Sequence, residues 1–315
     1  MNRLRDWAPW LALMVVYVVW GSTYLAIRVA VEDLPPLLLA GTRYLIAGLL
    51  LYPVSVRINS HAAVEGPRPG RRQWLAAGLV GTMLLAVGNG GVSVAETRIS
   101  SGLAALVVAT VPLWMVLAAR VFLSTRVTGS VVAALLVGFG GVAVLADPSG
   151  GGPLGGVLIV MVASASWGSG SVLGTRLPLP SRALVGASLE MITGGVVLLI
   201  AGTCVGEFGD LRLAHVGWPA ILALAYLIGP GSLLALPAYV FALQRLPAST
   251  VATYAYVNPI VAVALGALIL DESIDGRLAA GGLLVVSAVA LSLYGQKRLR
   301  RGDPVAPQTH PAGTA

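Results

Sequence analysis

Charge is the scarcest thing in this sequence. Asp, Glu, Lys and Arg make up 10% of its 315 residues, where an ordinary soluble domain carries about 25%. A water-facing surface cannot be built from so little charge, and a cytosolic enzyme is excluded. Lysine is nearly absent: Lys297 stands in Gly295-Gln296-Lys297-Arg298, which does not fit the G-x-x-x-x-G-K-[ST] phosphate loop. Any pumping must then draw on a gradient or on a separate ATP-hydrolysing subunit. Cys204 is the only cysteine, which excludes an internal disulfide and a thiolate metal cage. His61, His215 and His310 are too scattered for a metal site, so neither a metal nor another cofactor is expected. Also missing are G-x-S-x-G, H-E-x-x-H and paired in-span carboxylates, so an intramembrane enzyme is a weak alternative. A channel is another, but its filter would want a ring of like groups.

What is present is 57% hydrophobic residues and 39 glycines, with a mean hydropathy of +0.87. That mix suits closely packed helices in lipid. A spanning helix takes about 20 apolar residues, and the runs between polar breaks predict ten. They are 9–29, 36–56, 74–95, 101–122, 129–146, 154–175, 183–205, 218–243, 248–270 and 278–295. The first is taken as a true span rather than a secretory signal, because no small-residue cleavage site follows it. With the N-terminus inside, fifteen of the 20 basic residues fall on the cytoplasmic side. Arg28, Arg98, Arg212 and Arg277 fall outside, and Arg43 lies within a span. Such a bias predicts that both termini are cytoplasmic. The net charge of +7 then reflects topology, and residues 297–315 are expected to be a disordered basic cytoplasmic tail that binds no nucleic acid.

The halves repeat with a shift of 147 positions. Trp20-Gly21-Ser22 recurs as Trp167-Gly168-Ser169, Ala40 and Gly48 as Ala187 and Gly195, Arg98 as Arg245, Pro112 as Pro259, and Gly129 as Gly276. Each half holds five spans, an odd number, so the second half inserts upside down. The expected fold is an all-α membrane protein of ten transmembrane helices arranged as two inverted five-helix repeats, with a site near the midplane between them.

Helix one carries Trp20-Gly21-Ser22-Thr23-Tyr24 and then Arg28, and the next loop Leu34-Pro35-Pro36. Helix two carries Ala40-Gly41-Thr42-Arg43-Tyr44 with Ala47-Gly48. Helices three and four read Gly88-Asn89-Gly90-Gly91, Ala95-Glu96 and Ser101-Gly102-Leu103-Ala104-Ala105, ending at Pro112. Together with the duplication, these residues resemble the EamA type of the drug/metabolite transporter superfamily over about residues 8–296. The resemblance implies one repeat at 8–147 and a second, inverted one at 154–296. It implies a secondary transporter in a bacterial plasma membrane, often an exporter of amino acids, other metabolites or toxic compounds. It also implies that helices one, three, four, six, eight and nine surround the path, with five and ten peripheral. The family often has an acid just after helix four and again after helix nine. Here Asp271-Glu272 supplies the second, but Ser124-Thr125 occupies the first position, so these residues are left out of the expected site.

The candidate path residues are Trp20, Tyr24, Asn89, Thr110, Trp114, Trp167, Tyr239, Tyr254 and Asn258. Trp20 and Trp167 lie too deep for the interfacial belt and either bound a cavity or pack the repeat interface. Tyr24 shares a face with Trp20, Tyr254 with Asn258, and Thr110 with Trp114. Asn89 is polar at membrane depth and lines the path or bonds a neighbouring helix. Pro112, Pro230, Pro237 and Pro259 are expected to kink their helices and free carbonyls. Arg43 and Glu190 are read as the ionisable residues within spans, at equivalent positions of the two halves. They form a mutual ion pair, or Glu190 couples transport to protons, with structural roles favoured. The expected partners are the lipid bilayer, a small organic solute and protons, in a monomer or homodimer.

Overall fold

The computed structural model describes residues 3–58, 68–125, 129–147 and 153–302, and these contain helices and connecting turns with no strand. In chain order α1 is Arg3–Ala30 and α2 Pro36–Ile58, α3 Arg71–Glu96 and α4 Ser101–Leu123. Then come α5 Gly129–Ala146, α6 Leu154–Gly174 and α7 Ala183–Cys204. After a short turn of helix at Glu207–Asp210, α8 is Trp218–Leu243. The next helix, α9, comes in two pieces, Ala248–Val251 and Tyr254–Ile269, and α10 is Gly276–Gly302. Among the described residues, α1 to α8 are long and apolar enough to cross a membrane, and Tyr254–Ile269 and Gly276–Ser292 are shorter apolar helices. Their outer faces expose Leu75, Val121, Leu136, Leu222, Leu268 and Leu283, as a lipid-facing surface requires.

α10 runs to Gly302, past residue 297 where the basic tail is expected to begin; residues 303–315 lie outside the described residues.

Small residues set the packing. The most extensive contacts are α2 along α7 and α5 along α10, where glycines let backbones approach closely. A Cβ on Gly48 of α2 would lie 2.8 Å from the backbone nitrogen of Ile192, and one on Gly195 of α7 would lie 2.6 Å from that of Leu45. These two contacts are the same contact seen from either half, since 48 and 195, and 45 and 192, are each 147 apart. The relation recurs elsewhere. Gly21 of α1 abuts Val261 of α9, and Gly168 of α6 abuts Trp114 of α4. Gly138 of α5 abuts Ala288 of α10, and Gly141 abuts Val285. The ends of α4 and α9 also match. Ser124 and Asp271 both turn left-handed at φ 53, and the next amide nitrogens, of Thr125 and Glu272, donate back to the carbonyls of Ala119 and Gly266 at 3.3 and 3.1 Å.

Four helices are interrupted. Thr82–Asn89 of α3 and Gly229–Leu234 of α8 are π-helical, a geometry that is rare and frequent at functional sites. The helix gives way to a turn at Ala109-Thr110 in α4 and at Ala252-Thr253 in α9. Pro230 lies in the α8 interruption, where it removes a backbone donor. Pro112 restarts α4 as the second residue of its Val111–Leu123 segment. Pro237 and Pro259 sit within regular helix beyond the breaks. No proline explains α3. There Ser166 of α6 donates to the carbonyl of Met83 at 2.8 Å, a competing bond that draws this carbonyl toward α6.

Candidate functional site

The α1, α8 and α9 helices meet in a cluster of three rings. Trp20 lies 5.2 Å from Tyr239 and 5.4 Å from Tyr254, and the two tyrosines stand edge to face at 5.8 Å. Tyr24, one turn along α1, lies within electrostatic reach of Tyr254 and of Tyr44 on α2. All four side chains are half-buried. Among the described residues, neither the Trp20 indole N–H nor the hydroxyls of Tyr24, Tyr239 and Tyr254 forms a hydrogen bond. The cluster therefore offers apolar faces for stacking together with four unengaged polar groups, the composition of a small-molecule site.

Neighbouring hydroxyls are engaged and hold the frame. The Tyr17 and Thr253 hydroxyls bond each other across α1 and α9, and the Ser22 and Tyr226 hydroxyls do so across α1 and α8 at 2.6 Å. Asn258, with its amide nitrogen turned inward, donates to the carbonyls of Tyr17 and Tyr254 at 3.3 and 3.2 Å. In that orientation its buried amide ties α9 to α1 beside Pro259.

The other expected residues lie apart from the three rings. Trp167 packs against Gly88 of α3 in a cluster with Tyr44, Leu85 and Met191. Trp114 stacks edge-on against Phe139 at 5.1 Å, and its indole nitrogen is buried without a partner. Thr110 is fully buried and donates to the Val107 carbonyl at 2.7 Å. Asn89 ends the π segment of α3 and is half-buried. No ring contact joins Trp20 to Trp167 among the described residues.

Arg43 and Glu190 do not pair. Arg43 is 6% exposed; its Nε donates to the Ser232 hydroxyl in the α8 interruption at 3.1 Å, and its guanidinium lies 4.7 Å from the Tyr44 ring. No acid lies within ion-pair distance of it among the described residues. Glu190 belongs to the stretch of α7 that faces Gly81 of α3. Positions 147 apart need not touch: in the pairs above, each residue meets the counterpart of a different one.

Three acids have partners that the sequence reading did not assign. Glu96 was placed one residue past its span, yet it ends α3 at 0% exposure, and neither carboxyl oxygen has a hydrogen-bond partner. Around it lie Arg28, which donates to its backbone carbonyl at 2.8 Å, and Tyr24 and Glu272. Glu272 accepts from the backbone nitrogens of Ser101 and Gly102 at 2.8 and 3.1 Å and from the Ser101 hydroxyl at 3.0 Å, so it caps the start of α4. Glu207 caps α2 likewise, accepting from the nitrogens of Leu37 and Leu38 at 3.2 and 2.9 Å. The acid after helix nine was visible in the sequence; that it reaches across to helix four was not.

Comparison with known proteins matches this architecture. The model of the EamA-like transporter family fits residues 7–146 and again 154–294. An Escherichia coli protein named "Uncharacterized inner membrane transporter YedA" is 39% identical over 298 residues, covering 92% of this chain and 93% of that one. A Salmonella typhimurium protein named "Probable amino-acid metabolite efflux pump" is 27% identical over 300 residues, covering 92% and 96%. One solved crystal structure, 20% identical, superposes with a TM-score of 0.60 over 92% of this chain and 98% of its own, a likeness of fold.

Proposed function

This chain belongs to the EamA-like transporter family, and on that premise we propose that it is a secondary carrier exporting a small organic metabolite across the bacterial plasma membrane. The observation that carries the reading is the exchange of contacts between halves. Gly48 against Ile192 is repeated as Gly195 against Leu45, and Gly21 against Val261 as Gly168 against Trp114. These pairs support two inverted five-helix repeats, 8–147 and 154–296, which alternate access by swapping conformations around a fixed site. Trp20, Tyr24, Tyr239 and Tyr254 form that site, and the interruptions in α8 and α9 beside it supply the flexible points.

Both termini are cytoplasmic in this reading, as the sorting of arginines requires. The relative named as an amino-acid metabolite efflux pump and the apolar, hydrogen-bonding character of the ring cluster both favour amino acids and similar solutes as cargo. The test is purified protein in liposomes, assayed for uptake and counterflow across amino acids and cationic drugs, with and without a pH gradient. Saturable counterflow that falls about tenfold in Trp20→Ala and Tyr254→Ala, with folding intact, supports the reading. Single-channel currents, or transport untouched by both substitutions, would overturn it.

A further inference from the structure

Arg43 is a buried cation with no ion-pair partner among the described residues. It is 6% exposed inside a membrane-spanning helix, where an uncompensated charge is costly and usually functional. Its guanidinium has five N–H donors in a fixed fork, and one of them is engaged, by Ser232. Among the described residues no carboxylate lies within ion-pair distance.

The surroundings hold the group in place without neutralising it. Ser232 is itself buried and fixed by donating to the Leu227 carbonyl at 2.9 Å. Gly231 lies beside the fork: a Cβ there would press on Thr23 Cγ2 at 3.2 Å and only reach ordinary contact with Arg43 Nη2 at 3.5 Å. Thr23 in turn donates to the Trp20 carbonyl at 2.6 Å. Tyr24 lies within electrostatic reach of both Tyr44, beside the guanidinium, and Tyr254 of the ring cluster. The cation and the aromatic cluster are thus two ends of one neighbourhood, joined through α1.

We infer that Arg43 binds the carboxylate of the transported solute, whose apolar part lies on Trp20, Tyr239 and Tyr254. A planar guanidinium with its Nη groups unengaged suits a carboxylate, which accepts two parallel N–H bonds. The inference rests on the site proposed above and names its substrate class as organic carboxylates bearing an apolar or aromatic group, amino acids among them.

Binding to purified protein in nanodiscs tests this without requiring transport. The probes are 3-phenylpropionate and L-phenylalanine, with 3-phenylpropionamide and L-phenylalaninamide as matched controls, read by thermal shift and by titration calorimetry. Both acids should bind saturably and both amides at least tenfold more weakly. Arg43→Gln should weaken the acids by about ten- to a hundredfold, the loss of charge-assisted bonds, and leave the amides unchanged. Arg43→Lys keeps the charge without the fork and should restore part of the acid affinity, which guards against a folding defect in Arg43→Gln. Acid and amide binding alike, no acid binding at all, or unchanged acid affinity in both variants would overturn the inference. If the acids bind through Arg43 but no solute crosses liposomes, the site stands and the carrier reading fails.

Discussion

Replacing Glu272 should loosen the junction between the halves by a calculable amount. Its carboxylate receives three hydrogen bonds from the start of α4, at 2.8, 3.0 and 3.1 Å, and sits against the positive end of that helix. Hydrogen bonds to a charged acceptor contribute about 1.5–3 kcal/mol each when buried. Glu272 is half-buried, so water replaces part of what is lost, and Glu272→Ala should cost about 3 kcal/mol in all. In Glu272→Gln one oxygen still accepts, while the amide nitrogen confronts a donor, so the cost should be about 2 kcal/mol. For a chain of this size, about 3 kcal/mol is a fall in melting temperature of about 4–5 °C, readable by tryptophan fluorescence in a mild detergent. A second perturbation reaches the same bond from the other side. A Cβ on Gly266 would lie 2.3 Å from Glu272 Oε2, so Gly266→Ala should displace the carboxylate and destabilise similarly. Because both act on one contact, the double variant should cost less than their sum. A Glu272→Ala protein that melts within 1 °C of the parent, or strict additivity with Gly266→Ala, would refute the reasoning.

Other expectations follow from the same contacts. Gly195→Leu should prevent α2 and α7 from docking and leave little folded protein in size-exclusion chromatography, because its Cβ alone would sit 2.6 Å from the Leu45 nitrogen. Gly140→Ala, where a Cβ meets nothing within 4 Å, should leave the melting temperature unchanged or slightly raised. Arg277→Gln breaks the pair with Asp147 at a side chain 52% exposed and should cost under about 1 kcal/mol by the same melt. Glu190→Gln should abolish the response of liposome transport to a pH gradient if that carboxylate carries the coupling proton; an unchanged response assigns it a structural role.

The spans were legible because each is a long apolar run bounded by arginines, prolines or capping residues, and the 147-residue shift is written in Trp-Gly-Ser and in the paired prolines. The ring cluster was half legible. Trp20, Tyr24, Tyr239 and Tyr254 stood out as polar-tipped aromatics at depth, but Trp167 shares Trp20's motif and has other neighbours. Val92 and Val107 occupy the places that correspond to Tyr239 and Tyr254 in the other half, so the duplicated indole finds no matching rings. Glu96 was missed because hydropathy fixes a helix end only to a few residues, and a single charge at the boundary reads as loop. The partners of Arg43, Glu207 and Glu272 lie about 170 to 190 positions away in the chain, beyond any local pattern. A repeat invites pairing a residue with its own counterpart, but among the described residues Arg43 and Glu190 form no ion pair, which leaves the coupling alternative for Glu190.

The two glutamate caps also bear on how the protein is made. The first half leaves the ribosome with the opening turns of α2 and α4 already written, but the carboxylates that satisfy them, Glu207 and Glu272, arrive with the second half. Until then the amides of Leu37, Leu38, Ser101 and Gly102 lack the acceptors they have in the finished molecule. The first five helices on their own therefore lack the acceptors that these amides have in the full chain. Expressed alone they should be recognised as incomplete and degraded, and supplying the second half as a separate chain should rescue them.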